Sequence, residues 1–288
     1  MGETATPGQG SFSWRVACGL AVLGLTLAVM ALAQSSHDED DPTANQVFSG
    51  GAFGYADPAG RQVLVPVETG LARGMKGFRQ AVAAPGRIVP LTFAGVRRGG
   101  DADRDGIREF HETPGALFAA GGPLGPGGDV FVATDGFLAA RRVLGVKPLA
   151  GEGGGRECPV ALRDTLAARA GRPVLWCRNV AEVEGGGVLH LARFAPRGRD
   201  ELVTLAYADG QGFVYLDYPA TADPGGTWRE DDGGEFPVAG YTPLFAFRTA
   251  DGLELAVRVD GGEGAAMDLY RQEGDAFVPF VAASWSRP

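Results

Sequence analysis

Carboxylates spaced two apart are the feature of this chain most directly able to do chemistry. Asp101, Asp103 and Asp105 alternate with other residues, Gly106 follows, and the run continues Ile107-Arg108-Glu109-Phe110-His111-Glu112. This order fits D-x-[DN]-x-[DN]-G-x5-E, a pattern that wraps oxygen ligands around a calcium ion. A hard dication of that size takes about six to eight oxygens at about 2.3–2.6 Å. Asp101, Asp103 and Asp105 supply carboxylates from one side, and Gly106 permits the sharp turn that brings the chain back. The Ile107 carbonyl is the next ligand. Glu109 binds directly or through a water, and Glu112 closes the shell with both oxygens. The competing interpretation is an acidic surface turn without an ion, and the register of the acids with the glycine weighs against it. Arg104 and Arg108 inside the run, and Arg97 and Arg98 before it, offset the carboxylate charge. The expected affinity is therefore modest, about 10⁻⁴–10⁻³ M, as in extracellular calcium modules.

These twelve residues resemble EF-hand-type loops, and more closely the loops of thrombospondin type 3 and related bacterial calcium repeats. Those read Asp-x-Asp-x-Asp-Gly-Ile-x-Asp, with an isoleucine directly after the glycine, as Ile107 is here. An EF-hand places its aliphatic residue one position later, where this chain has Arg108. It also needs an entering helix, whereas Arg87-Ile88-Val89-Pro90-Leu91-Thr92-Phe93 reads as a strand. The related repeats come in tandem, and this chain carries one copy. The resemblance implies a calcium ion in a structural role.

The elements that must hold such a loop follow from composition. A chain of 288 residues with 45% hydrophobic content can bury a sizeable core. A net charge of −9 without a large basic cluster argues against a nucleic-acid partner. Val16–Ala33 is an apolar run after Arg15 that ends Ala31-Leu32-Ala33, a small-x-small cleavage pattern. Residues 1–33 are expected to be a secretory signal peptide, and a membrane is a partner only if that segment stays uncut. Residues 34–45, with His37-Asp38-Glu39-Asp40-Asp41, are expected to be a disordered acidic leader. The chain is then periplasmic or extracellular. Its two remaining cysteines, Cys158 and Cys177, are expected to form a disulfide, with two buried free thiols as the alternative.

Residues 46–288 are expected to form one β-rich domain, with antiparallel hairpins making a sandwich or a propeller-like domain and one or two short helices. Val47–Phe53 and Arg61–Thr69 should pair around Asp57-Pro58 and Gly60. Leu71–Ala83 is a weak helix candidate because of Gly74 and Gly77. Gly121 to Gly128 can only be loop. Asp129–Thr134 and Phe137–Val146 flank Asp135-Gly136, a hairpin signal. Gly151–Gly155 reads as linker, and Pro159–Ala170 is the best helix candidate. From Val188 onward the pattern is strand after strand, with Asp-Gly or Gly-Asp turns at Asp209, Asp251 and Gly274. Leu253, Leu255, Val257 and Val259 alternate with polar residues, which suggests a strand with one wet face. The Asp turns at 57, 135, 209 and 251 fall near multiples of about forty residues, a propeller-blade length.

Groups able to catalyse a reaction are sparse. G-x-S-x-G and H-E-x-x-H are absent, and His111-Glu112 lacks a second histidine. His190, between two leucines, reads as a satisfied core residue. The region from Phe213 to Glu235 is the richest. Tyr215 and Asp217 share a strand face, and Trp228 precedes Glu230, Asp231, Asp232 and Glu235. Aromatics beside carboxylates can bind or cleave a sugar chain. The plainer interpretation is core aromatics followed by a solvated acidic turn. Taken together, the residues favour an exported, calcium-stabilised binding or structural module with a protein or carbohydrate partner. The alternative is an extracellular or periplasmic hydrolase acting on polysaccharide with acids from 217–235.

Overall fold

A computed structural model describes residues 50–99, 110–149, 155–222, 241–260 and 264–286. The expected signal peptide and acidic leader, Asp101 to Glu109, Trp228 and the acids at 230–235 lie outside the described residues, as do 151–154 of the expected linker. Among the described residues the chain is mainly β with short helices, and its sheets are barrel-like and sandwich-like.

The first part is a closed barrel. Its elements are β1 (Gly51–Ala56), β2 (Gln62–Val65), a short helix α1 (Thr69–Gly74) running into a 3₁₀ turn (Met75–Gly77), β3 (Phe78–Ala83), β4 (Arg87–Arg97), β5 (Gly115–Ala120) and β6 (Asp129–Thr134). The strands close in the order β1-β2-β5-β4-β3-β6. The β1–β2 hairpin forms as expected, with Tyr55 opposite Leu64. Asp57 makes the turn: its Oδ1 accepts from the Arg61 and Gln62 amides at 2.6 and 2.9 Å. Gly60 has φ +66°, and a Cβ there would collide with the Leu124 carbonyl, so only glycine fits. The helix expected over Leu71–Ala83 stops at the 3₁₀ turn. Ala81, Val82 and Ala83 instead complete a strand between β4 and β6, where their side chains are buried.

The second part is a ten-stranded sheet. It comprises β7 (Arg142–Leu144), β8 (Val146–Pro148), β9 (Val174–Val183), β10 (Gly187–Phe194), β11 (Asp200–Asp209), β12 (Gly212–Thr221), β13 (Tyr241–Arg248), β14 (Leu253–Asp260), β15 (Gly264–Glu273) and β16 (Ala276–Ser286). The order is β7-β13-β14-β15-β16-β12-β11-β10-β9-β8. Two antiparallel meanders, β9–β12 and β13–β16, meet along the parallel β12–β16 contact, Tyr215 opposite Ala276. They share one core that includes Leu189, Leu191, Leu205, Val214, Leu255 and Val257. These are the alternating inward positions of their strands. The forty-residue spacing of Asp turns therefore does not mark radial blades.

Asp135-Gly136 does not turn a hairpin. It opens a helix, α2 (Asp135–Ala139), whose N-cap Thr134 accepts from the Phe137 amide at 3.2 Å. The physical reason is that β6 already pairs with β1 and β3, so a following strand finds no free edge in the barrel. The chain crosses to the second sheet, where β7 pairs with β13. The helix expected at Pro159–Ala170 is present as α3 (Val160–Ala170), and Gly171 closes it with φ +61°.

The outer face of β14 is not wet. Glu254 is buried and its carboxylate takes both Arg141 Nε and Nη2, at 2.7 and 2.9 Å. Arg258 pairs with Asp129 of the barrel at 2.6 Å and with Asp260 at 2.7 Å. Sequence alternation marks these residues as polar, but Glu254 and Arg258 each find a partner, Arg141 and Asp129, more than a hundred positions away. Between them lies a shared aromatic layer. Phe131 of β6 stands 6.1 Å from Phe247 of β13, and Phe137 of α2 stands 5.8 Å from the same ring. The layers thus run barrel, β13–β16, central core, β9–β12, α3.

Candidate functional sites

The proposed calcium loop is the connection between β4 and β5. Arg97 and Gly115 are the last register pair of that hairpin, so the strands hold both ends of the connection together. A strand, not a helix, leads into it, as the sequence indicates. Phe110 is 6% exposed and packs edge-on against Tyr55 at 6.0 Å, inside the layer between barrel and sheet. The Arg97 guanidinium lies 4.7 Å from the Phe110 ring centroid and donates to the Phe110 carbonyl. The connection is thereby pinned where it returns to the barrel. Glu112 follows, half-buried, with His111 exposed before it. Asp101, Asp103, Asp105, Ile107 and Glu109 lie outside the described residues. Among the described residues, no group of three or more His, Cys, Asp or Glu side chains is placed to hold a metal.

Cys158 and Cys177 form a disulfide. It ties the segment before α3 to β9, and the Cys158 amide donates to the Cys177 carbonyl at 3.1 Å. His190 lies beside it, 6% exposed. Its Nδ1 donates to Asn179 Oδ1 at 2.8 Å and is 3.9 Å from Cys158 Sγ. Burial lowers its pKa to about 4, so the ring is neutral at pH 7. This is the satisfied core histidine expected from its flanking leucines.

Tyr215 and Asp217 do share a strand face, and Arg169 of α3 joins them. The guanidinium is 3.8 Å from the Tyr215 ring centroid and donates to both Asp217 oxygens at 3.0 Å. Thr204 Oγ1 donates to Asp217 Oδ1 at 2.6 Å. Tyr215 is buried against Phe213 and Leu166, and that burial pushes its phenol pKa up despite Arg169. An aspartate held by an arginine fork and a hydroxyl serves to seat α3 on the sheet.

A different site emerges from topology. In a meander, alternate turns lie at the same end. The β9–β10, β11–β12, β13–β14 and β15–β16 turns together line a cleft of about 940 Å³. Its wall is mostly polar groups and glycine backbone. Arg248 at the end of β13 donates to the Tyr207 hydroxyl at 3.1 Å and lies 3.9 Å from Asp209. Burial raises the Tyr207 pKa, and Arg248 partly offsets this.

No family model, curated protein or solved structure matches this chain. The sequence marks the turns at Asp209, Asp251 and Gly274 but not Arg248 or Tyr207. One arginine and one tyrosine in strands of ordinary composition carry no local signal. Their convergence depends on which turns share an end.

Proposed function

We infer that this chain is an exported β-rich binding module whose β4–β5 connection is stabilised by calcium. The ligands are the carboxylates of Asp101, Asp103, Asp105, Glu109 and Glu112 and the Ile107 carbonyl. The observation that carries this reading is the anchoring of Phe110 by Tyr55 and Arg97, next to the Arg97–Gly115 pair. A connection held that closely at both ends limits the freedom an ion must remove, and loop closure entropy is a main cost of assembling such a shell. The disulfide is in keeping with an oxidising compartment. No helix among the described residues is long and apolar enough to cross a membrane. Among the described residues, Asp217 bonds to Arg169 and Thr204, and neither brings a second carboxylate to favour the polysaccharide hydrolase.

Calcium at millimolar concentration is expected to raise the melting temperature, and Asp103→Ala to abolish that rise while the apo protein still melts cooperatively. Differential scanning calorimetry with calcium and with magnesium is the measurement. An unchanged melting temperature for the wild type in calcium would remove the ion from the account.

A further inference from the structure

We propose that the hairpin-tip cleft is a saccharide site, in which Arg248 and Asp251 contact adjacent hydroxyls of a neutral oligosaccharide. This rests on the reading of the chain as a binding module and names its ligand class and place. The cleft's side chains divide into those already engaged and those with capacity left. Gln272 is engaged at both ends of its amide: Oε1 accepts from the Leu253 amide at 3.1 Å, and Nε2 donates to the Gly274 carbonyl at 3.0 Å. Thr249 Oγ1 accepts from the Asp251 and Gly252 amides at 3.1 and 3.2 Å. Asp209 Oδ1 accepts from the Gln211 amide at 2.8 Å. These bonds brace the turns, so a ligand meets walls already in place and little ordering entropy is lost.

Arg248 differs. Its side chain is 41% exposed, and Tyr207 takes one of its five N–H donors. Asp251 is exposed, and its carboxylate accepts no hydrogen bond from the described residues. Donors on one residue and acceptors on the other suit hydroxyls, each of which donates and accepts. Charge narrows the class further. Arg248 lies 3.9 Å from Asp209, and Asp251 lines the same cleft, so the lining carries no positive excess to draw an anion. The mostly polar wall suits a hydroxyl-rich ligand better than an apolar one. Gly185, Gly210, Gly212 and Gly274 line the cleft, and a Cβ at any of them would meet nothing within 4 Å, which leaves the wall open to a bulky ring.

The test is isothermal titration of the full chain, at fixed calcium, with cellotetraose and chitotetraose as neutral probes and tetragalacturonate as an anionic one. At least one neutral probe is expected to bind, and Arg248→Ala to weaken it about tenfold, as expected for a lost hydrogen bond from a charged donor. Gly210→Trp supplies a second variant that does not depend on charge. Its φ lies outside the left-handed region and its Cβ meets no neighbour, so the fold tolerates the ring while the cleft is obstructed. The proposal is overturned if neither neutral probe binds, if binding survives both variants, or if tetragalacturonate binds more tightly. The calcium-dependent melting shift is measured on the same samples. If that shift persists while the saccharides fail, the cleft assignment falls alone.

Discussion

His190 is enclosed by Asn179 and the Cys158 sulfur and is held neutral by burial, with a pKa of about 4. In the unfolded chain it titrates near its ordinary value of about 6.5. Between these values the unfolded state binds a proton that the folded state refuses. Stability is therefore fully present above about pH 6.5 and is lost as pH falls toward 4, by at most about 3 kcal/mol. Urea denaturation at pH 7 and pH 4.5 is the measurement. His190→Gln is expected to flatten this part of the profile even if it lowers stability at every pH. A slope unchanged in the variant would assign the acid sensitivity to other groups. Arg169 shows a different lesson at the same scale. Through Tyr215 and Asp217, which in sequence look like a sugar-binding pair, it also clamps α3 to the sheet.

At the scale of elements, α3 is a shallow helix. Leu166 is its buried apolar residue, while Val160 is 72% exposed. Packing alone holds such a helix weakly, so its attachment leans on the Arg169–Asp217 fork and on the disulfide. Cys158 and Cys177 are 19 positions apart. Closing a loop of that length stabilises a fold by about 3 kcal/mol in the chain-entropy model. Cys158→Ala/Cys177→Ala is expected to lose about that much in chemical denaturation. Amide exchange should accelerate over α3 and the neighbouring part of β9, leaving the barrel strands protected. Equal acceleration in both places would show that the bridge supports the whole fold. The same scale explains α2. Thr134-Asp135-Gly136 serves equally as a hairpin turn or as a cap and first turn of a helix. The occupied edges of β6 decide between them.

Across the whole molecule, barrel and sheet are joined by the Phe131–Phe137–Phe247 layer and two ion pairs at its margins. Asp129 has a side-chain exposure of 3% and faces Arg258, which also holds Asp260. Asp129→Ala leaves Arg258 with one acid. The expected cost is about 2–3 kcal/mol, below the about 3–5 of a buried pair broken outright. Unfolding should remain a single transition, because the aromatic layer still couples the two parts. Separate barrel and sheet transitions by circular dichroism and tryptophan fluorescence would show that the ion pair, not the aromatic layer, provides the coupling.

Residue pattern by itself determined the β class, most strand positions after Val188, the turn at Asp57, α3 and the cysteine pair. These are set by near neighbours: period-two burial, turn chemistry and the few cysteines available. It also marked the acidic run at Asp101 to Glu112 as an ion ligand set, a proposal that calorimetry must test. Tertiary structure alone decided that the strands divide into a closed barrel and a curled sheet. It also turned the polar face of β14 inward, and it gathered Tyr207, Arg248 and Asp251 at one rim. Each of these depends on which edges and faces meet across more than forty residues of chain. Local propensity carries no record of such meetings, because the energies that select them arise only when distant surfaces are buried together.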